Sequence, residues 1–123
     1  MTKTVLSVGQ CRPDHAAISH FLTSNFSINL LTADLASDCE KVVAENTIDL
    51  ILINRKLDAD YSDGMVILES LKADEATRDI PVMLVSNLPE WQQKAQEAGA
   101  LCGFGKAELN SPETVDRVRA VLG

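Results

Sequence analysis

Apolar residues along this chain fall into short runs separated by longer amphipathic stretches. Three runs, at residues 4–8, 48–53 and 81–85, are nearly continuous, and the second is rich in β-branched side chains. Continuous rather than alternating hydrophobicity is typical of strands buried on both faces of a parallel sheet. Two weaker runs, at residues 26–31 and 101–104, bring the number of predicted strands to five.

Helical patterns with recognisable first turns occupy the segments between these runs. A proline or an acid in the first turn, or a serine or aspartate just before it, favours helix initiation. Ser37 followed by Glu40 matches a capping box, and Gly99 suits the end of the fourth helix. The five helices are therefore predicted to begin near Pro13, Ser37, Asp63, Pro89 and Ser111.

The resulting order is a strand followed by a helix, repeated five times with short connections. Such an order implies parallel pairing through right-handed crossovers, with helices on both faces of the sheet. The predicted fold class is α/β: a doubly wound, five-stranded parallel sheet of (βα)5 type. With 123 residues and no linker-like stretch, the chain is expected to form one domain over residues 1–123.

Composition narrows the classes of partner. The 18 acidic and 11 basic residues give a formal charge of −7, and no run of Lys or Arg is present. Duplex nucleic acid and anionic membrane surfaces would be repelled, so we expect neither as a partner of this domain alone. No window approaches the roughly 20 apolar residues of a membrane helix, and no targeting segment is evident. Cys11, Cys39 and Cys102 form no C-x-x-C pair, which predicts three reduced thiols in a cytoplasmic protein.

Chemistry in doubly wound sheets takes place beyond the carboxyl ends of the strands, at the switch point in strand order. Here those ends carry residues 9–11, 54–56, 86–87 and 105–106. We expect the four segments to meet at one edge of the sheet. The candidate functional residues are therefore sought among them.

In order and spacing, these segments resemble the receiver domain of bacterial response regulators over the whole chain. Residues 49–53 lead to the phosphoacceptor position of that family, and residues 63–64 open the third helix. Residues 80–82 match the start of its fourth strand, Ser86 stands where the family has Thr or Ser, and Lys106 stands where it has its Lys. The resemblance implies a flavodoxin-like fold and a role in two-component, phosphorelay signalling.

The positions that carry phosphoryl chemistry in that family depart from its pattern. Family members end the first strand with two acidic Mg²⁺ ligands and the third strand with the acceptor Asp; this chain has Gly9, Gln10 and Asn54 there. Mg²⁺ prefers carboxylate oxygens, and a neutral amide is a far poorer nucleophile than a carboxylate. The resemblance therefore implies an atypical member, a pseudo-receiver, with no metal, no cofactor and no catalytic residue. The loop from Asn54 to Gly64 is also longer than is usual in the family.

Other charged residues near these strand ends have simpler interpretations. Asp14 and Asp63 suit the first turn or the cap of a helix, and the acids of the lengthened loop are expected to be solvated. Lys106 has lost the anionic partner that the family supplies. It is left with the carbonyl oxygen of Asn54, with Ser86 or with solvent, and we expect its role to be structural.

Because phosphoryl chemistry is not expected, we predict that the chain acts by binding a partner protein without being phosphorylated. The partner is a kinase, an output protein or an adaptor. The resemblance implies an interaction face formed by the fourth helix, the fifth strand and the fifth helix. On this chain that face lies near residues 89–96, Phe104 and residues 111–119. Trp91 and Phe104 are its candidate contact residues, although Trp91 shares a helical stripe with two alanines that also suits the core.

Two other functions stay open. One is a small-ligand-binding or enzymatic domain, since flavodoxin-like sheets host many functions. The other is a working receiver that accepts phosphate elsewhere, for example on Ser86. We expect the chain not to be an enzyme: Cys11 and His15 are one helical turn apart but lack the context of a catalytic pair.

Overall fold

Five parallel strands form one sheet in the computed structural model, which describes residues 2–123. The order across the sheet is β2-β1-β3-β4-β5, and every neighbouring pair is parallel. The chain reverses its direction of winding between β1 and β3, which creates a switch point at that place. The doubly wound (βα)5 fold expected from the sequence is confirmed. The strands are β1 (Lys3–Val8), β2 (Ile28–Ala33), β3 (Leu50–Asn54), β4 (Val82–Val85) and β5 (Leu101–Phe104).

Five α-helices connect or follow the strands, and most begin where the sequence predicts. The side chain of Asp63 accepts a hydrogen bond from the backbone N–H of Met65 at 2.9 Å, and Ser111 accepts one from Glu113 at 3.3 Å. Both are side-chain caps that satisfy an unpaired N–H of the first turn. The helices are α1 (Arg12–Asn25), α2 (Ala36–Glu45), α3 (Gly64–Ala73), α4 (Pro89–Glu97) and α5 (Pro112–Leu122), and a short 3-10 turn spans Lys106–Glu108.

The starts of α2 and β2 differ from the prediction. Ser37 does not cap α2: the helix begins one residue earlier, and the carboxylate of Asp38 accepts the backbone N–H of Leu35 at 3.2 Å. The acid three residues into the helix therefore supplies the cap, without a hydroxyl partner. In the second case β2 begins at Ile28 rather than at Phe26, because the N–H of Phe26 still bonds to the carbonyl of Leu22 and closes α1.

The sheet separates two apolar clusters, one on each face. Alternate residues of β3 divide between them: Ile51 and Ile53 pack with α2, α3 and α4, whereas Leu50 and Leu52 pack with α1 and α5. All four side chains are fully buried. Burial on both faces explains why this strand is a continuous apolar run rather than an alternating one.

The cysteines are unpaired, and the helices are too short or too polar to span a membrane, within residues 2–123. All three thiols are free, and burial within the α2 side of the core raises the pKa of Cys39 to about 11, so this thiol is inert. Cys102 is exposed on β5. Over residues 2–123, none of the helices is long and apolar enough to cross a membrane.

Candidate functional site

Segments from three strand ends line a cavity of about 270 Å³ at the carboxyl edge of the sheet. The structure thus brings together the ends of β3, β4 and β5, as expected for a doubly wound sheet. Residues 9–11, which follow β1, do not line the cavity. The carbonyl oxygen of Gly9 nevertheless accepts a hydrogen bond from the lining residue Asn54. We call this space the strand-end cavity; its lining is Asn54, Arg55, Lys56, Val85, Ser86, Asn87 and Lys106.

Asn54 ends β3 and connects two backbone segments through its side-chain amide. Its Nδ2 donates to the carbonyl oxygen of Gly9 at 3.2 Å and to that of Lys56 at 2.8 Å. Two carbonyl oxygens therefore converge on a hydrogen-bond donor. A carboxylate in the same place would set a third oxygen against them, so an amide is the group that fits here.

Gly9 leaves no room for a side chain. Its φ is +77°, a conformation that favours glycine, and a Cβ added there would clash with the side chain of Leu57. Leu57 is fully buried, and the next residue, Asp58, donates its N–H to the carbonyl of Gly9 at 3.0 Å. The lengthened loop is therefore packed over the end of β1.

Gln10 contributes polar atoms that the protein does not pair. Both the oxygen and the nitrogen of its side-chain amide are buried, and neither has a hydrogen-bond partner within residues 2–123. Unpaired buried polar groups cost free energy, typically about 1–3 kcal/mol each. The sequence offers no signal of this, since glutamine after a strand is ordinarily solvated.

These positions do not fit the Mg²⁺ ion that the family resemblance implies. Mg²⁺ is bound by carboxylate oxygens in near-octahedral geometry. Gly9, Gln10 and Asn54 supply no carboxylate, the Asn54 amide presents N–H groups, and Leu57 fills the space beside Gly9. In the part of the chain that the structure describes, no three His, Cys, Asp or Glu side chains come together as a metal site would require.

Lys106 has an anionic partner that the sequence did not indicate. Its Nζ lies 2.5 Å from Oδ2 of Asp14, which also accepts a hydrogen bond from the Cys11 thiol at 3.0 Å. The expectation that Lys106 turns to Asn54, Ser86 or solvent is therefore wrong. The two residues are 92 positions apart, and only the fold brings α1 next to the end of β5.

The pKa of Asp14 reflects this contact. Burial alone would raise the pKa, but the hydrogen bonds from Cys11 and Lys106, together with the charge of Lys106, outweigh it and lower the pKa below its ordinary value. Asp14 is therefore more than the first-turn acid predicted from the sequence. It fixes the position of the lysine at the cavity.

Gln92 of α4 connects the last two strands. Its Nε2 donates to the carbonyls of Leu84 at 2.9 Å and Ser86 at 3.1 Å, while its Oε1 accepts the N–H of Gly103 at 2.9 Å. The β4–β5 ladder shifts register at this point, and Arg117 of α5 donates to the carbonyl of Gly103 at 2.9 Å. A Cβ at position 103 would clash with the carbonyl oxygen of Leu84. Sequence reasoning missed Gln92, whose only signal is a glycine in the last strand.

The predicted partner face contains a second cavity of about 290 Å³ between α4, β5 and α5. Among its lining residues are Gln93, Gln96 and Cys102. Phe104 is not part of this face: its side chain is fully buried on the α1 and α5 side of the sheet, with its ring centroid 5.9 Å from that of Phe21. The expectation that Phe104 contacts a partner is therefore wrong, because the alternation of β5 directs it into the core.

Trp91 lies beside the strand-end cavity rather than in the second cavity. It is half-buried against the α2–α3–α4 side of the core. The guanidinium of Arg55 lies 3.8 Å from the ring centroid, and the ammonium of Lys94 lies 4.4 Å from it. Trp91 thus belongs to the predicted core stripe of α4, and two cations lie over its ring.

The chain is similar to known proteins in its fold and not in its sequence. No sequence-family model and no curated protein matches the chain. Among solved structures, a response regulator from Chloroflexus aurantiacus J-10-fl is similar with a TM-score of 0.84 and 18% identity, covering 99% of this chain and 98% of that one. The signal receiver domain of a DNA-binding response regulator from Colwellia psychrerythraea 34H gives 0.81 and 19%, with 98% of each chain covered. The fold is that of receiver domains.

One similar structure is much longer than this chain. NtrX from Brucella abortus matches with a TM-score of 0.72 and 18% identity, covering 99% of this chain but only 29% of NtrX. Identities below 20% establish the receiver fold and leave the activity to be argued from the residues of this chain.

Proposed function

We propose that this chain is a receiver-like module of a two-component signalling system that binds a partner protein without being phosphorylated. The observation that carries the proposal is the Asn54 amide, which donates to the carbonyls of Gly9 and Lys56. The residue at the end of β3 therefore acts as a cross-link between two backbone segments. A hydrogen-bonded amide nitrogen is not a nucleophile for phosphoryl transfer.

The surroundings of Asn54 support the same proposal. Mg²⁺ neutralises the charge that develops in phosphoryl transfer, and the donor set beside Gly9 does not suit that ion. Lys106, which would otherwise face a phosphoryl group, is paired with Asp14. The hydroxyl of Ser86 accepts the N–H of Leu88 at 3.2 Å, which gives it a local structural role. We therefore propose a signalling domain with no enzyme activity.

Hydrogen bonds across the α4–β5–α5 face support binding in one fixed conformation. Gln92 joins α4 to both β4 and β5, and Arg117 joins α5 to β5. We propose this face as the site for a kinase, an output protein or an adaptor, with Trp91 at its border. The proposal places the chain, as one domain, in the cytoplasm; its three free thiols are consistent with a reducing compartment.

Capture of partners on the immobilised chain tests the proposal. The same proteins should be retained with and without acetyl phosphate and Mg²⁺, because binding needs no modification. Gln96→Arg, in the second cavity, should reduce retention of those proteins. Lys41→Glu is the matched control, since α2 packs against β2 at the opposite edge of the sheet. Retention that depends on acetyl phosphate would contradict the proposal.

A further inference from the structure

Positive charge is concentrated around the strand-end cavity of an otherwise acidic chain. The protein has 18 acidic and 11 basic residues, yet three of the seven residues that line this cavity are Arg55, Lys56 and Lys106. Within the described residues, no Asp or Glu lines it. The cavity is therefore a local exception to the net charge of −7.

Two of these three cations have no ion-pair partner in residues 2–123. Lys106 is paired with Asp14, but neither Arg55 nor Lys56 forms an ion pair or a side-chain hydrogen bond anywhere in residues 2–123. The Nε of Arg55 is buried and has no hydrogen-bond partner among the described residues. The carboxylate of Asp60, in the adjoining loop, accepts a hydrogen bond from the Ser62 hydroxyl at 2.6 Å and forms no ion pair with either cation in the described residues. Cations without an ion-pair partner attract an anion, more strongly where water is partly excluded.

Arg55 is held in place for such a contact. Its guanidinium stacks 3.8 Å from the centroid of the Trp91 ring, and Trp91 is itself half-buried against the core. A guanidinium can donate two parallel hydrogen bonds, the geometry that matches a carboxylate. Leu88, which follows the lining residue Asn87, is 51% exposed and offers an apolar contact nearby.

We propose that the strand-end cavity receives a carboxylate side chain from an acidic segment of the partner protein. Arg55 binds the carboxylate, Lys56 adds charge at the rim, and Leu88 contacts an apolar residue of the same segment. This proposal rests on the proposed function, because it names the chemistry of the partner protein. Charge complementarity supports the proposal. The cationic cavity attracts an acidic segment, whereas a chain with a net charge of −7 repels one on average.

Two blocked hexapeptides test the proposal on the full chain. One has the sequence Glu-Leu-Glu-Glu-Leu-Glu, and the other has Gln in place of each Glu. The acidic peptide should produce a saturable change in the fluorescence of Trp91, the only tryptophan. The Gln peptide should bind at least about ten-fold more weakly. Calorimetry should show a loss of about ten-fold for Arg55→Gln and a smaller loss for Lys56→Gln. Lys41→Gln, an exposed cation on α2, should leave the affinity unchanged.

The proposal would be overturned by equal binding of the two peptides, by unchanged affinity in both cavity variants, or by an equal loss in Lys41→Gln. Inorganic phosphate that binds at lower concentrations than the acidic peptide would also overturn it, in favour of a small-anion site. Lys56 is exposed, so Lys56→Gln keeps the test decisive even if Arg55→Gln disturbs the packing of Trp91. Phosphorylation is measured separately by mass, so failure of the proposed function and failure of the peptide site are distinguishable.

Discussion

Replacement of Gln92 by alanine should weaken the connection between α4 and the last two strands. The side-chain amide makes three hydrogen bonds, to Leu84, Ser86 and Gly103, at 2.9–3.1 Å. A typical hydrogen bond contributes about 1 kcal/mol net, and an unpaired buried N–H adds a further cost. Gln92→Ala should therefore lower the free energy of unfolding by about 2–3 kcal/mol; water from the adjoining cavity keeps the loss from being larger.

Urea denaturation measures this loss directly, and a decrease in melting temperature of roughly 6–15 °C should accompany it. Hydrogen exchange at the amide of Gly103 should also accelerate, because that N–H loses its acceptor. Gln93→Ala is the matched control: Gln93 is exposed and bonds only to Glu97, at 3.3 Å, so its loss should change stability by less than about 0.5 kcal/mol. Equal losses in the two variants, or unchanged exchange at Gly103, would refute the bridging role.

Three further predictions concern the end of β1 and its neighbours. Gly9→Ala should destabilise the fold by more than about 1 kcal/mol in urea denaturation, because its positive φ and the side chain of Leu57 both oppose a Cβ. Gln10→Met should raise stability by about 1 kcal/mol or more, since it removes two unpaired buried polar atoms without leaving a void. Lys106→Met should raise the pKa of Asp14, followed by carbon-13 NMR of the carboxyl group, because burial then acts with only the Cys11 hydrogen bond against it. Since the folded-state pKa of Asp14 is lowered, its contribution to stability, about 1 kcal/mol or less, is present above the ordinary value of 3.8 and is lost as the pH falls below it.

Each of these predictions has a contrary result. Wild-type stability in Gly9→Ala would show that the loop over β1 is not packed as described. A loss of stability in Gln10→Met would show that the glutamine amide has a partner. An unchanged pKa of Asp14 in Lys106→Met would show that the ion pair does not form in solution.

Local patterns predicted most of the fold because they reflect local physics. The continuous apolar run of residues 48–53 can only be buried on both faces, and Asp63 and Ser111 cap helices through bonds to residues two positions along the chain. The prediction that Ser37 caps α2 is wrong because Asp38, the next residue, is also a capping residue, and its carboxylate accepts the N–H of Leu35. Boundaries decided by such competition are not set by pattern alone.

The candidate site was less predictable because its contacts are long-range. Their places at strand ends predict Asn54 and Lys106 as site residues, but the partner of Lys106 lies 92 residues away in α1. The packing of Leu57 on Gly9 depends on how the lengthened loop folds back, which no local pattern shows. The family resemblance implies a partner face that includes Phe104, although its position in the alternation of β5 directs its side chain into the core.

The intact mass of the chain after incubation with acetyl phosphate and Mg²⁺ tests the central claim most directly. We predict an unchanged mass, because the Asn54 amide is bound to two carbonyls and no metal ligand set is present at the end of β1 in the described chain. A stoichiometric gain of one phosphoryl group, removable by hydroxylamine, would contradict the claim by revealing an acyl phosphate. A gain that resists hydroxylamine would contradict it as well, by placing the acceptor on a hydroxyl such as that of Ser86.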